Sequence, residues 1–207
     1  MMRVRLIRVI LIVAGFASAM ETKAAQGPAS PTTEINITSD SAPRWLPSES
    51  QQRTVIKAAG DFFSSLDKGE PEQAYTMMAE PTKRLLPLQQ FISQNQTFRA
   101  LSGALKRRTI LKVTWTKDPP RGPFPGIFAA IDIASQYANV DRHCGYVILY
   151  QRSADDQFEI MRQEANFIAN ATAQSIEQQK SRAELDKLWA RLAANCPNYN
   201  MSSPTSQ

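Results

Sequence analysis

The side chains most often used in catalysis and metal binding are scarce in this chain. The sequence of 207 residues contains one histidine, His143, and two cysteines, Cys144 and Cys196. Three such ligands do not complete the four-ligand set of a structural zinc site. Neighbouring residues of a strand point to opposite faces, so His143 and Cys144 are poorly placed to form a catalytic dyad. The sequence therefore predicts no metal site, no catalytic residues and no cofactor.

Asp132 is the strongest candidate for acid–base chemistry. It lies in the middle of an alternating apolar segment, where burial would make a carboxylate a better proton acceptor. Tyr75 or Tyr146 would then donate a hydrogen bond to the same ligand in a pocket. The alternative is that Asp132 simply faces solvent, because it alternates with Ile131 and Ile133. The sequence leaves both possibilities open.

The first residues have the pattern of a secretory signal peptide. Arg3, Arg5 and Arg8 precede the apolar run Val9–Phe16, and three small residues follow it. This is the usual order of basic region, apolar region and cleavage site. A retained membrane anchor is the alternative, but the uncharged run is shorter than the roughly 20 residues that a span needs. The sequence predicts a periplasmic or secreted protein with no stable membrane span after cleavage.

The basic character of the chain comes largely from this leader. The whole sequence has 24 lysines and arginines against 19 aspartates and glutamates, and removal of the three leader arginines leaves 21 against 19. Such a small excess is poor evidence for nucleic acid as a partner. The basic cluster Lys106–Arg108 is expected to be a solvated surface, with an anionic partner as the alternative.

The two cysteines are expected to bond to each other. Export would place the chain in an oxidising compartment, where an even number of cysteines indicates disulfide pairing. A bond between Cys144 and Cys196 would join a central strand to the end of the last helix. The alternative is that Cys144 is an inert buried thiol.

Four extended segments predict an antiparallel sheet. Gly126–Tyr137 alternates clearly, with its isoleucines on one face, as in a half-buried strand. The proline-rich segment Asp118–Gly126 precedes it and is expected to be a loop or a sheet edge. The predicted strands are Arg108–Thr116, Gly126–Tyr137, Cys144–Gln151 and Phe158–Phe167.

Helices are expected before the sheet. Ser48 and Gln51 have the spacing of a capping box, and Gly69 is a suitable end for this first helix. A second helix is predicted from Pro71 to a stop at Pro81. Further helical residues are predicted from Pro87 as far as a piece that contains Leu105.

One more helix is predicted after the sheet, over Gln174–Asn195. Its narrow apolar stripe consists of Leu185, Leu188, Trp189 and Leu192. Two interpretations remain open. The helix either folds against the domain, where Cys196 pins it, or projects and pairs with a partner or with a second copy.

These patterns define an α+β protein with N-terminal helices packed on a four-strand antiparallel sheet and a C-terminal helix. The predicted divisions are a signal peptide (1–19), a flexible linker (20–47), a helix-plus-sheet domain (48–168), a C-terminal helix (169–196) and a disordered tail (197–207).

Several short segments carry a family resemblance. They are Phe62–Gly69 with Ala74 and Tyr75, then Phe91, Arg99–Gly103, Arg107 or Arg108, Phe124–Gly126 and Tyr137–Asn139. Through them, residues 53–168 resemble the bacterial secreted family known as domain of unknown function 4019. The resemblance implies a curved sheet in a nuclear transport factor 2-like (cystatin-like) cone, and it implies no activity. The chain departs from the family at Phe91, where the family usually has tryptophan, and at Asp156–Phe158, where it has Gly-x-Trp.

The sequence favours an exported, non-enzymatic interaction or structural module of the bacterial envelope. Its partner would be another envelope protein or a second copy, bound through the C-terminal helix or the sheet face. The alternative is a cone pocket that binds a small apolar ligand or, less in keeping with the residues, carries out an isomerase-like reaction.

Overall fold

The computed structural model describes residues 35–153, 156–194 and Cys196. The predicted signal peptide, most of the predicted linker and the tail 197–207 lie outside the described residues. The strands are β1 (Asn36–Ile37), β2 (Leu105–Lys117), β3 (Ile127–Tyr137), β4 (Val140–Gln151) and β5 (Glu159–Ala169), and the helices are α1 (Glu49–Lys68), α2 (Pro71–Thr76), α3 (Glu80–Leu85), α4 (Leu88–Ser102), α5 (Asn170–Gln179) and α6 (Arg182–Ala193).

The α+β class is confirmed, but the sheet has five strands in the order β1-β2-β3-β4-β5 rather than the predicted four. Strands β2 to β5 form the predicted antiparallel meander. Strand β1 pairs in parallel with β2, placing Asn36 opposite Thr114 and Ile37 opposite Trp115. Part of the predicted linker therefore belongs to the domain. A strand of two residues is too short to show an alternating pattern, and so it could not be predicted.

Helix α1 begins and ends as predicted. The Ser48 side chain accepts from the backbone of Gln51, and the Gln51 side chain accepts from the backbone of Ser48. Gly69 ends the helix at φ 82°, a left-handed conformation that favours glycine. The helix buries Val55 and Phe62 against the sheet because they lie on its apolar face.

Two predicted helix boundaries are wrong. Pro81 does not stop a helix; it lies in the first turn of α3, where its missing N–H costs nothing. Leu105 is the first residue of β2 and not part of a helix, since α4 ends at Gly103 with φ 68°.

Trp45 packs edge-on against Trp115, with 6.4 Å between ring centroids.

The sheet separates two apolar clusters. Its inner face packs Val113, Ile131 and Val147, which are aligned across three strands, against α1 and α4. Its outer face carries a second cluster, in which Cys144 and Ile168 contact residues of α5 and α6. None of the helices in the described part of the chain has the length and hydropathy of a membrane span.

The C-terminal segment is two helices rather than one. Helix α5 ends at Lys180. The Ser181 hydroxyl then accepts a hydrogen bond from the backbone N–H of Glu184, which begins α6. Leu185 and Trp189 are fully buried on the outer face of the sheet, and Leu188 and Leu192 are half-buried against the same cluster. The apolar stripe therefore packs within the chain. The predicted disulfide between Cys144 and Cys196 is confirmed.

Loss of the disulfide is expected to destabilise the protein. In Cys144→Ser or Cys196→Ser, a bond between residues 52 positions apart is removed. The chain-entropy model assigns a loop of this length about 4 kcal/mol of unfolding free energy. We expect each variant to lose a similar amount in urea unfolding under oxidising conditions, and the double variant to lose little more than either.

Reduced wild-type protein is the matched control, because reduction removes the cross-link and leaves each side chain otherwise unchanged. Identical unfolding of the oxidised wild type and all the variants would contradict this role for the disulfide.

Candidate functional site

A groove of about 1270 Å³ lies between the helices and the inner face of the sheet. Its walls come from α1, α3 and α4 on one side and from β2 to β5 on the other. Ligand sites are typically concave, mostly apolar and furnished with a few polar groups. This groove fits that description, since apolar and aromatic side chains surround the buried polar residues described next.

Arg108 is the centre of a polar network in the groove. Its two terminal nitrogens donate to both carboxylate oxygens of Asp67, at 2.6 and 3.1 Å. The Nε atom donates to the Ser135 hydroxyl at 3.2 Å, and the guanidinium lies 4.4 Å from the ring centroid of Phe63. Burial opposes the charged form of Arg108, but the hydrogen bonds to Asp67 and Tyr137 outweigh it, so the pKa is raised.

The Tyr137 hydroxyl is held in place by this network. Its oxygen accepts a hydrogen bond from Arg108 at 3.0 Å, and the residue is only 8% exposed. A tyrosine hydroxyl that accepts one hydrogen bond still has its own proton to donate. The Tyr137 hydroxyl donates no hydrogen bond to any described residue. The groove therefore contains a fixed hydrogen-bond donor whose proton is unused.

His143 lies beside Tyr137, with 5.4 Å between ring centroids, and is 5% exposed. Burial first, and then the positive charge of Arg108, lower its pKa to about 4. The imidazole is therefore neutral near pH 7. Its Nδ1 atom has no hydrogen-bond partner among the described residues. A buried polar atom without a partner is unfavourable, so this arrangement calls for an explanation beyond packing.

Aromatic rings form the adjoining wall. Phe98 packs edge-on against Tyr137 at 5.3 Å and against Phe167 at 5.1 Å between centroids. Phe98 and Phe167 are both half-buried and line the groove. Such rings offer a large apolar contact area with defined geometry to a flat ligand.

The structure does not bring the predicted pocket residues together. Tyr75 lies on the helical side, where its hydroxyl donates to the backbone carbonyl of Leu86 at 3.0 Å and so connects α2 to the end of α3. Asp132 and Tyr146 are opposite each other on β3 and β4 and lie on the outer face. Asp132 is 4% exposed, so it is buried there rather than solvated.

Tyr146 has a partner of its own on the outer face. Its hydroxyl donates to Glu164 at 2.7 Å. Burial and the hydrogen bond and charge of Glu164 raise the pKa of Tyr146 to about 12. The Tyr146 hydroxyl therefore joins β4 to β5 through Glu164, and Tyr146 does not line the groove.

The prediction that Lys106–Arg108 is a solvated surface is wrong for Arg108, because a bulge changes the phase of β2. Counting back in twos from Val113 places Arg107 on the inner face. The irregularity between Ile110 and Lys112 shifts the register by one residue, and Arg108 pairs with Ser135 on that face instead. A bulge of this kind reverses which side chains face inward. His143 could have been found, since alternation places it opposite the disulfide-bonded Cys144.

No group of three or more metal-ligating side chains occurs among the described residues. A family model described as a protein of unknown function (DUF4019) matches residues 58–162. No curated protein matches the chain. The solved structure of a candidate scytalone dehydratase from Novosphingobium aromaticivorans is similar, with a TM-score of 0.36 and 11% identity over 57% of this chain and 85% of that one. A likeness this distant carries no functional argument.

Stability is expected to fall as the pH is lowered from about 6.5, the ordinary pKa of histidine, to about 4, its value at His143. The unfolded chain binds a proton at His143 first, so protonation favours unfolding in this window. Below the folded pKa, the free energy of unfolding is lower by about 3 kcal/mol. His143→Phe keeps an aromatic ring, and we expect it to remove this part of the pH dependence in urea unfolding.

The measurement is specific because His143 is the sole histidine of the sequence. Carboxyl groups titrate in both proteins, so the difference between wild type and variant isolates the imidazole. Parallel stability curves from pH 7 to pH 4 would show that the buried imidazole is not held neutral.

Proposed function

The chain belongs to the DUF4019 family, and we propose that it binds a small molecule with a flat apolar body and a neutral hydrogen-bond acceptor. The observation that carries this proposal is the Tyr137 hydroxyl, fixed by Arg108 and left with a proton to donate inside an aromatic-walled groove. We therefore propose the groove, rather than the C-terminal helix, as the functional site.

The dimensions of the groove support a ligand of drug-like size. Its volume of about 1270 Å³ exceeds what one such molecule occupies. Phe98 and Phe167 supply apolar contact, and Ser102 and Asn95 add polar groups to the lining. Side chains that are already fixed lose little conformational entropy when a ligand binds, which favours affinity.

The acceptor on the ligand is an uncharged oxygen, such as that of a ketone, ester or amide. Arg108 is neutralised by Asp67, and His143 carries no charge near neutral pH, so the interior has no net charge to compensate an ion. Burying an unpaired charge there would cost far more than a single hydrogen bond returns.

We propose binding rather than catalysis. An efficient general base has a pKa near the working pH, and His143, with a pKa of about 4, is too weak a base near neutrality. Asp132, the acid–base candidate of the sequence, lies on the other face of the sheet. The groove thus offers recognition groups without a well-matched proton acceptor.

We also propose that the protein is exported to an oxidising compartment, such as the periplasm. The disulfide between Cys144 and Cys196 supports export. A protein partner on α6 is less well supported, because Leu185 and Trp189 are buried against the sheet. A partner that binds the apolar stripe would first have to separate α6 from the domain.

The Tyr137→Phe variant is expected to weaken binding of acetylnaphthalene, a flat aromatic ketone, by about fivefold to tenfold, the worth of one neutral hydrogen bond. Ligand-observed NMR titration measures the affinity. Ethylnaphthalene has no acceptor, and its affinity should be the same for wild type and Tyr137→Phe.

Tyr150→Phe is the matched control, since the Tyr150 hydroxyl donates to the Pro125 carbonyl at 2.8 Å and lies outside the groove. This variant should bind acetylnaphthalene like wild type. Equal affinities of wild type and folded Tyr137→Phe for the ketone would exclude Tyr137 as the recognition group. Absence of binding of either compound to wild type would contradict the proposed function.

A further inference from the structure

We infer that the ligand also carries an anionic group, of the carboxylate class, which Arg99 binds at the edge of the groove. The inference rests on the proposed function and adds a charge preference to it. Its basis is the contrast between two arginines whose side chains lie near the C-terminal end of α1. Arg108 comes from β2 and Arg99 from α4.

Arg99 lies on α4, is exposed and lines the groove. Its side chain makes no ion pair or hydrogen bond with any described residue, whereas Arg108 is bound on both terminal nitrogens. An arginine presents five N–H donors in a planar fork that matches a carboxylate. Arg99 therefore offers an unused bidentate donor at the groove.

The guanidinium of Arg99 is positioned by Gly69. A Cβ atom added at Gly69 would overlap the Nη1 atom of Arg99, so the guanidinium packs directly against this glycine. Gly69 ends α1, and the C-terminal end of a helix attracts cations. The side chain is thus held against the end of α1 rather than extended into solvent.

The carboxylates at this end of α1 leave Arg99 without a partner. Asp67 uses both of its oxygens on Arg108. Glu70 follows Gly69, is exposed and forms no ion pair among the described residues. One arginine here is paired with a carboxylate and the other is not, so the guanidinium of Arg99 is available to an anionic group at this edge of the groove.

The interior and the edge therefore select different ends of one ligand. The interior has no net charge and a neutral donor at Tyr137, so it suits the aromatic body and its carbonyl oxygen. An anionic group remains partly hydrated when it lies at the exposed Arg99, which avoids the cost of burying it. The ligand class is an aromatic carboxylate with a second, uncharged acceptor.

The test compares acetylnaphthoate with acetylnaphthalene, which share the ring and the ketone and differ by the carboxylate. We expect wild type to bind acetylnaphthoate about tenfold more tightly at low ionic strength, as for a charge-assisted hydrogen bond. Added salt should reduce this advantage, because Arg99 is exposed. Arg99→Gln should abolish the advantage and leave the affinity for acetylnaphthalene unchanged, whereas Arg99→Lys should retain part of it.

Arg191→Gln is the matched control, because it removes the same charge from the exposed side of α6. It should preserve the advantage of the carboxylate. Equal affinity of wild type for the two compounds, or an advantage that persists in Arg99→Gln, would overturn the inference while leaving the proposed function intact. If neither compound binds to wild type, the proposed function itself is wrong and this inference is wrong with it.

Discussion

The ion pair between Arg108 and Asp67 is the interaction on which the groove depends. It joins the end of α1 to β2, with side chains that are 15% and 27% exposed. Removal of one partner from a largely buried pair costs several kcal/mol, because the other charge is left uncompensated. The same guanidinium holds Ser135 and Tyr137 on β3, and its charge helps to keep His143 neutral. One interaction thus positions the Tyr137 donor and adds to the burial that keeps His143 neutral.

Strand β4 connects the groove to the rest of the protein. His143 points from it into the groove, and the next residue, Cys144, points to the outer face, where its disulfide to Cys196 holds α6. A strand that is packed on both faces is held firmly in position. The outer helices therefore serve the site indirectly, by supporting the strand that carries the imidazole.

Sequence reasoning succeeded where the signal was local. The capping box at Ser48, the alternation of β3 and the pairing of the two cysteines were all confirmed, and so was the resemblance to the DUF4019 family. It failed where the outcome depended on tertiary context. Strand β1 is too short to have a pattern, and the bulge in β2 moved Arg108 to the inner face. A cone pocket was one of the alternatives drawn from the sequence, but its lining residues could not be predicted, since they come from three helices and four strands.

The most direct measurement is a crystal structure of the protein soaked with acetylnaphthalene. The account predicts that the ketone oxygen lies within hydrogen-bond distance of the Tyr137 hydroxyl, at about 2.7 Å, with the rings against Phe98 and Phe167. The Arg108–Asp67 contacts should be unchanged, because the site is already formed. Electron density for the compound only outside the groove, or none at saturating concentration, would contradict the claim that this groove is a ligand site.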